Sequence, residues 1–205
     1  MCFYSRQTKK AIELINRYHT RIVNELQFEI ANEYNGFAFP KTPVITNKDK
    51  SIIDHLQWGL IPLWAKDDSI KQYTLNARIE TLNEKPAFRD YVKNRCLIIA
   101  DGFYEWKWLD AKGKNKQKYL ITLPGEELFS FAGLWSRWVD KETGEVVKSY
   151  TIVTTEANPL MSEIHNSKKR MPLILSRENE NAWINGQAIK DFAHPEVDLV
   201  AKEVL

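Results

Sequence analysis

Apolar residues recur every three or four positions near the start of the chain. This spacing puts them on one face of a helix, so it predicts an amphipathic helix over residues 8–30. The residues that carry the pattern are Ile12, Ile15, Tyr18, Ile22, Val23 and Leu26. A turn-rich segment, 35–43, opens with Asn-Gly and contains two prolines, which predicts that the helix has ended by this point.

Short runs rich in β-branched and aromatic residues dominate the rest of the chain, and such runs are typical of strands. The predicted strands are 52–58, 96–100, 103–108, 118–123, 128–134 and 147–154. Segments 110–113 and 140–144 end in glycine and predict hairpin tips. Ser176 predicts the cap of a short helix through Trp183, and residues 196–204 predict a terminal helix.

This order of elements predicts an α+β fold with a central antiparallel, barrel-like β-sheet flanked by helices. The 205 residues are enough for one domain, 1–205, that buries most of its unfolded surface. No repeat, low-complexity linker or Gly-rich phosphate loop interrupts the pattern.

The composition narrows the class of protein. With 43% hydrophobic residues, no apolar run of transmembrane length and no signal-peptide stretch, we expect a soluble cytoplasmic protein without a membrane partner. The two cysteines, Cys2 and Cys96, are too few for a disulfide framework or a zinc site. We therefore expect no metal, no cofactor and a monomer, with Cys96 as a buried packing thiol.

The net charge of +2 does not by itself indicate nucleic-acid binding, so such binding would need a local basic patch. The seven tryptophans are a high number for this length. Most are expected in the core, which leaves one or two that could stack on bases.

Cys2 offers distinctive chemistry, because removal of the initiator Met1 would leave it as the first residue. The thiol and α-amine would then form a 1,2-aminothiol, which condenses with an aldehyde to a five-membered thiazolidine. An α-amine titrates near ~7.7, so an appreciable fraction is nucleophilic at neutral pH. A neighbouring ammonium also favours the thiolate form of Cys2. The alternative is a cysteine that merely follows the initiator.

Together with Cys2, four phrases in this order closely resemble the SRAP (SOS response-associated peptidase) family of abasic site processing proteins. The resemblance runs from Cys2 to about Pro195. The phrases are Trp-Gly-Leu-Ile-Pro-Leu-Trp at 58–64, Asn-Ala-Arg-Ile-Glu-Thr at 76–81, Ala-Asp-Gly-Phe-Tyr-Glu-Trp at 100–106, and Ile164-His165-Asn166 followed by Arg170-Met171-Pro172.

The resemblance implies a function in the response to DNA damage. Members of the family bind single-stranded DNA and trap the aldehyde of an abasic site covalently as the thiazolidine. They are also described as peptidases, at least toward their own initiator Met, and as lyases on abasic DNA. The expected partner is therefore single-stranded DNA that contains abasic sites.

The same resemblance implies catalytic roles for four residues: Cys2, Asn76, Glu105 and His165. Asn76 would orient the amine or hold the sugar hydroxyls, since an amide both donates and accepts hydrogen bonds. Glu105, between bulky aromatics, is the best general acid/base candidate, because burial raises a carboxyl pKa. His165 would protonate the ring oxygen or shuttle protons at the Schiff base. The competing interpretations are an Asn76 that satisfies a turn and an outward-facing Glu105.

Contacts to DNA are expected from basic residues and from two apolar wedge positions. Arg78 matches the family's phosphate-binding arginine, with a salt bridge to Glu80 or Glu105 as the alternative. Trp64 and Pro40 are the wedge positions, with Trp64 in the core as the alternative. The full set of phosphate-binding candidates is Arg6, Lys9, Arg78, Arg89, Lys168, Lys169 and Arg170.

The sequence departs from the family pattern in three places, one of which is that it stops soon after His194-Pro195, where relatives often continue. Many members begin Met-Cys-Gly-Arg, whereas Cys2 here precedes Phe3-Tyr4-Ser5-Arg6, so Arg6 could replace the missing phosphate contact. Residues 167–169 lengthen the motif that follows His165 and add two lysines beside the expected site.

Three functions remain open from the sequence. The first is covalent capture of abasic single-stranded DNA through Cys2. The second is an N-terminal-nucleophile peptidase or amidase, in which Cys2 attacks a carbonyl and Glu105 or His165 is the base. The third is a non-catalytic barrel that binds single-stranded nucleic acid through aromatic and basic residues.

Overall fold

The computed structural model describes residues 2–25 and 28–204, and strands dominate it. In chain order the strands are β1 (Tyr4–Gln7), β2 (Arg21–Ile22), β3 (Ala31–Asn35), β4 (Lys41–Thr46), β5 (Asp49–Trp58), β6 (Asn76–Arg78), β7 (Arg95–Ala100), β8 (Gly102–Trp108), β9 (Lys116–Thr122), β10 (Phe129–Val139), β11 (Val146–Glu156), β12 (Arg170–Pro172), β13 (Ile174–Leu175) and β14 (Val200–Val204). The α-helices in these ranges are α1 (Ala11–Tyr18), α2 (Pro159–Ile164) and α3 (Arg177–Ile184).

Five strands close into a barrel. β10 pairs antiparallel with β7 and β11, and β4 pairs antiparallel with β7 and β5. A parallel pairing of β5 with β11, with Trp58 opposite Tyr150, closes the ring. The predicted α+β fold with a barrel-like sheet is therefore confirmed, with one parallel seam in an otherwise antiparallel barrel.

Alternation of side chains along the barrel strands produces two cores. Val44 and Ile98, which are opposite each other on β4 and β7, lie in the cluster that fills the barrel together with Trp58. The opposite face of the same strands carries a second cluster, which α1 and α3 cover with Leu14 and Trp183. Both faces of β7, and nearly all of β4, are thus buried.

A second, antiparallel sheet has the strand order β14-β9-β8-β1-β3 and packs on the barrel. Phe103 of β8 and Ile121 of β9 belong to the same buried cluster as the residues inside the barrel. Cys2, two residues before β1, also belongs to this cluster. The start of the chain is therefore held where the sheet and the barrel meet.

Several local predictions are confirmed. β8 and β9 form a hairpin around 110–113, and β10 and β11 form one around 140–144. In the first tip the Asp110 carboxylate accepts hydrogen bonds from the backbone N–H groups of Lys112 (2.8 Å) and Asn115 (2.6 Å). The Ser176 hydroxyl accepts from the backbone N–H of Asn179 (3.2 Å) and caps α3.

The predicted helix over 8–30 is wrong for most of its length. Within the described part of this range only α1 is an α-helix, because His19 adopts the left-handed conformation (φ 52°) and its backbone N–H closes the last turn on Ile15. Arg21 then enters β2, which pairs with β5. Ile12 is 56% exposed, so one of the residues that the apolar spacing assigned to the buried face of the helix lies at the surface. Leu26, the last residue of the predicted pattern, lies outside the described residues.

The predicted turn and the predicted terminal helix also need correction. The turn ends at Pro40, since β4 begins at Lys41. Residues 196–204 form no helix, because β14 pairs with β9 from Val200 opposite Thr122 to Val204 opposite Lys118. Pairing satisfies the backbone groups of a sheet edge, and this tertiary gain overrides the helix propensity of Ala, Lys and Glu.

Candidate active site around Cys2

Cys2 is fully buried, two residues before β1 begins at Tyr4. β1 is held by its pairing with β8, in which Tyr4 lies opposite Tyr104. Its far end is fixed by the buried Asp101, whose carboxylate accepts a hydrogen bond from Arg6 Nε (3.1 Å). The strand therefore holds Cys2 in one place rather than leaving it on a loose tail.

Burial strongly raises the pKa of the Cys2 thiol, and the nearby charge of Glu105 raises it further. With Met1 in place, desolvation thus outweighs the effect of a neighbouring positive charge. The favoured thiolate was expected for the chain that begins at Cys2, and it stays a prediction. The Cys2 Sγ lies 3.7 Å from the carbonyl oxygen of Tyr4, which a protonated thiol can use as an acceptor. At neutral pH Cys2 is a neutral thiol.

Asn76 contacts Cys2 directly. It opens β6, which runs parallel to β11 with Asn76 opposite Ile152. The Asn76 Nδ2 donates a hydrogen bond to the carbonyl oxygen of Cys2 (2.8 Å). Its Oδ1 is buried and has no hydrogen-bond partner among the described residues. A buried amide oxygen without a donor is costly, so this atom indicates a place for a donor such as an amine.

Glu105 lies on β8, the strand that pairs with the Cys2 strand, and is 5% exposed. Burial raises the pKa of its carboxyl to about 7. The outward-facing alternative is therefore wrong. A carboxyl with this pKa exists in both protonation states near neutrality, which suits an acid that later acts as a base.

His165 caps the C-terminus of α2, the helix that packs on β8. Its Nδ1 lies 2.7 Å from the carbonyl oxygen of Arg170, which can only accept, and 3.2 Å from the Arg170 backbone nitrogen. The shorter contact requires a donor on the ring, so the proton is assigned to Nδ1. Burial lowers the pKa of the imidazole to about 4. His165 is therefore neutral at pH 7, with Nε2 as a proton acceptor, which makes it a base in the resting site rather than the expected acid.

Asn166 attaches the loop after His165 to β8. Its Oδ1 accepts a hydrogen bond from the backbone N–H of Trp108 (3.0 Å), and its Nδ2 donates to the Trp108 carbonyl (2.9 Å). This double contact fixes the loop that the extra residues 167–169 lengthen. Lys168 and Lys169 are exposed on it, at the surface above His165.

The predicted phosphate-binding residues fall into two groups. Arg6 and Arg170 are buried in ion pairs: Arg6 with Asp101 and with Glu126 (2.9 Å), Arg170 with Glu80 (2.6 Å). Their guanidinium groups are already engaged, so they stabilise β1 and β12. The remaining candidates, Arg78, Arg89, Lys168, Lys169 and the half-buried Lys9, keep access to solvent.

Arg78 lies two residues after Asn76 on β6, and alternate residues of a strand share a face. It is exposed. Glu80 forms its ion pair with Arg170 (2.6 Å), while Arg78 acts on the same carboxylate only through its charge. Arg78 is therefore the arginine best placed beside Asn76 for an external anion.

The apolar candidates also reach the surface. Trp64 is 53% exposed, with its indole N–H 3.4 Å from the Pro86 carbonyl, so the core alternative is wrong. Pro40 is half-buried. The sequence reasoning missed Phe37, an exposed aromatic whose ring lies 4.8 Å from that of Phe3. The run of aromatics at 37 and 39 was its available signal.

Across residues 2–25 and 28–204 no cluster of three or more His, Cys, Asp or Glu side chains is arranged to hold a metal ion. None of the helices in those ranges has the length and apolar character needed to cross a membrane.

A family comparison agrees with this arrangement. The model of the family described as SOS response associated peptidase (SRAP) matches residues 1–203. The chain belongs to the SRAP family. The match covers the barrel, the second sheet and all four residues discussed above, so the resemblance predicted from the motifs is confirmed.

Curated SRAP relatives carry a common name. The chain is 48% identical over 143 residues to the abasic site processing protein YoqW of Bacillus subtilis, which is 69% of this chain and 61% of that protein. It is 33% identical over 162 residues to the abasic site processing protein HMCES of Xenopus tropicalis, covering 68% of this chain and 47% of that protein. The match thus spans about three fifths or less of these relatives.

Solved structures agree in fold. A crystal structure of a protein from Bacteroides thetaiotaomicron superposes with a TM-score of 0.90 at 34% identity, covering 100% of this chain and 92% of that one.

Proposed function

We propose that the chain processes abasic sites in single-stranded DNA by linking them covalently to Cys2 once Met1 has been removed. The observation that carries the proposal is the surroundings of Cys2: Asn76 bonds its carbonyl, Glu105 acts on its thiol and His165 lies on the helix packed against the Glu105 strand. The names of the SRAP relatives support the choice of substrate.

The reaction balances as a condensation that releases one water. The Cys2 amine adds to the C1′ aldehyde of the ring-opened sugar, and the resulting carbinolamine loses water to form an imine. The Cys2 sulfur then bonds to C1′ of the protonated imine, whose nitrogen keeps its proton, and the thiol proton passes to the Glu105 carboxylate. The product is a thiazolidine that joins the protein to the DNA.

Each neighbour of Cys2 has a role in these proton transfers. The open Asn76 Oδ1 accepts a hydrogen bond from the amine and orients its lone pair. Protonated Glu105 donates the proton that leaves with water, and its carboxylate then accepts the thiol proton. Neutral His165 accepts a hydrogen bond from the sugar hydroxyl through Nε2. The imine also acidifies C2′, which allows strand cleavage as a lyase side reaction.

The strand would follow the exposed cations. Arg78 binds a phosphate beside Asn76, and Arg89, Lys168 and Lys169 add contacts on either side. The exposed Trp64 and the half-buried Pro40 enter the strand as wedges. Because C1′ must reach a buried residue, the strand has to bend and unpair, so single-stranded DNA should react faster than an intact duplex.

An abasic oligonucleotide tests the proposal. A single strand with one uracil is treated with uracil glycosylase, incubated with the protein and analysed by denaturing electrophoresis after heating. Covalent capture predicts a heat-stable adduct without added reductant. A peptidase or a non-catalytic nucleic-acid-binding barrel predicts none. The Cys96→Ala variant is the matched control, since it removes the other thiol of the same core.

A further inference from the structure

Phe37 is an exposed aromatic residue in a turn that is fixed at both ends. It lies in a single 3₁₀ turn, Gly36–Ala38, and 52% of its surface is exposed. Its backbone N–H donates to Asn35 Oδ1 (3.0 Å), and the Phe39 N–H donates to the Gly36 carbonyl (3.0 Å). Isolated exposed apolar residues are common, so exposure alone does not indicate a function for Phe37. Its location relative to Cys2 is the relevant evidence.

The turn is attached to the residue that follows Cys2. The Gly36 N–H donates to the Phe3 carbonyl (2.8 Å), and a Cβ at Gly36 would lie only 3.1 Å from that oxygen. The Phe37 ring packs on the Phe3 ring at 4.8 Å with an interplanar angle of 34°. Phe37 is therefore held against Phe3, the residue that follows Cys2.

The surroundings favour a nucleic acid as the occupant. Lys41 is exposed just after Pro40, and Lys71 lies 4.8 Å over the Phe39 ring. Lys71 also pairs with Asp68, so the exposed Lys41 is the cation of this turn that remains open to a phosphate. An exposed aromatic ring four residues from such a lysine suits a base whose backbone carries phosphates, because bases stack on aromatic rings while lysines neutralise the strand.

Building on the proposed function, we propose that Phe37 is the stacking platform for the nucleobase next to the abasic nucleotide. The abasic nucleotide has no base, so an aromatic side chain can stack only on the bases of the nucleotides next to it. When the lesion bends toward Cys2, the neighbouring base loses its stacking partner, and the Phe37 ring replaces it. Every base has a π face, so stacking on Phe37 does not depend on the DNA sequence.

Equilibrium binding tests the platform without the chemistry of Cys2. The probe is a fluorescent single-stranded oligonucleotide with a central tetrahydrofuran, which has no aldehyde, flanked by thymidines. In two further probes the 5′ or the 3′ neighbour is also a tetrahydrofuran. Dissociation constants are measured by fluorescence anisotropy for the wild type, Phe37→Ala, Phe37→Trp and the control Ile12→Ala, which truncates a similarly exposed residue on α1.

We expect Phe37→Ala to weaken binding of the thymidine-flanked probe about tenfold, within the range for base–aromatic stacking. Wild-type affinity should fall by a similar factor when one neighbour loses its base, and on that probe Phe37→Ala should match the wild type. Phe37→Trp and Ile12→Ala should bind all probes like the wild type.

Two outcomes would overturn the platform: no loss in Phe37→Ala on any probe, or an equal loss on all three, which would show a purely structural role. An absent covalent adduct on an aldehyde-bearing strand would instead overturn the proposed function. The two failures are therefore distinguishable.

Discussion

Cys2 and Cys96 are both fully buried in the cluster that fills the barrel, and burial raises the pKa of both thiols. Their surroundings differ. Cys96 is enclosed by the barrel wall so closely that a Cβ at Gly133 would lie 2.8 Å from its Sγ. Burial alone raises the pKa of its thiol. Cys2 has Glu105 and Asn76 beside it. Thiol acidity therefore does not distinguish a reactive cysteine here.

The difference shows what the proposed reaction needs from the protein. A neutral thiol can add to an imine if a nearby group accepts its proton in the same step. Glu105, with a pKa raised to about 7 by burial, supplies such a group for Cys2. The comparison predicts that Cys2 depends on its neighbours, while Cys96 contributes only packing.

The largest expected effect is the loss of the Cys2 thiol. Cys2→Ser keeps the amine, so it should form a hydrolysable imine and cleave the strand, but no heat-stable adduct. Cys96→Ala should form the adduct at the wild-type yield. Denaturing gels after heating measure both, and a wild-type adduct yield from Cys2→Ser would rule out the thiazolidine.

The next effect is on proton transfer around Cys2. Glu105→Gln and His165→Ala should slow adduct formation by about 10²–10⁴-fold, the usual contribution of general acid–base groups. Their affinity for a lesion-free single strand should stay near that of the wild type. Single-turnover kinetics and anisotropy separate the two quantities. If both variants react at the wild-type rate, the assigned roles are wrong.

The pH dependence should identify Glu105 itself. Burial raises its pKa from 4.5 to about 7, so the folded chain binds this proton more tightly than the unfolded chain. The stability it contributes is full below about pH 4.5 and is lost as the pH rises through about 7, a change on the order of 3 kcal/mol. Urea unfolding across this range should show a smaller decline in Glu105→Gln. An identical decline in both proteins would contradict the burial argument.

The smallest effect separates the exposed from the buried arginines. Arg78→Ala should weaken single-strand binding and lower the slope of log affinity against log salt by about 0.7, the value of one phosphate contact. Arg170→Ala should instead lower thermal stability, because it leaves Glu80 without its ion-pair partner. A salt slope that is unchanged in Arg78→Ala would mean that the strand follows another path.

The sequence predicted the elements whose signals are local. The hairpin tips and the Ser176 cap were right because their turn residues bond their own backbone. Residues 8–30 and 196–204 were wrong because pairing with β5 and β9 decided their structure. Such pairing joins segments far apart in the chain, and helical spacing does not report it.

In the candidate site, too, the sequence predicted what depends on local motifs and not what depends on the fold. Motifs predicted that Cys2, Asn76, Glu105 and His165 form one site. In the structure Asn76 bonds the Cys2 carbonyl, the Glu105 charge acts on the Cys2 thiol, and the helix capped by His165 packs on the Glu105 strand. The motifs did not predict the protonation states, because these depend on burial. Burial lowers the pKa of His165, which keeps it neutral, and raises the pKa of the Cys2 thiol, which keeps it protonated.

Intact mass spectrometry tests the central claim most directly. Protein purified from cells is measured alone and after incubation with a single-stranded abasic oligonucleotide. The account predicts a chain that lacks Met1 and a product whose mass is the sum of protein and oligonucleotide minus one water. Peptide mapping should place the link on Cys2. A chain with Met1 removed that gives no such product, or a link on another residue, would contradict it.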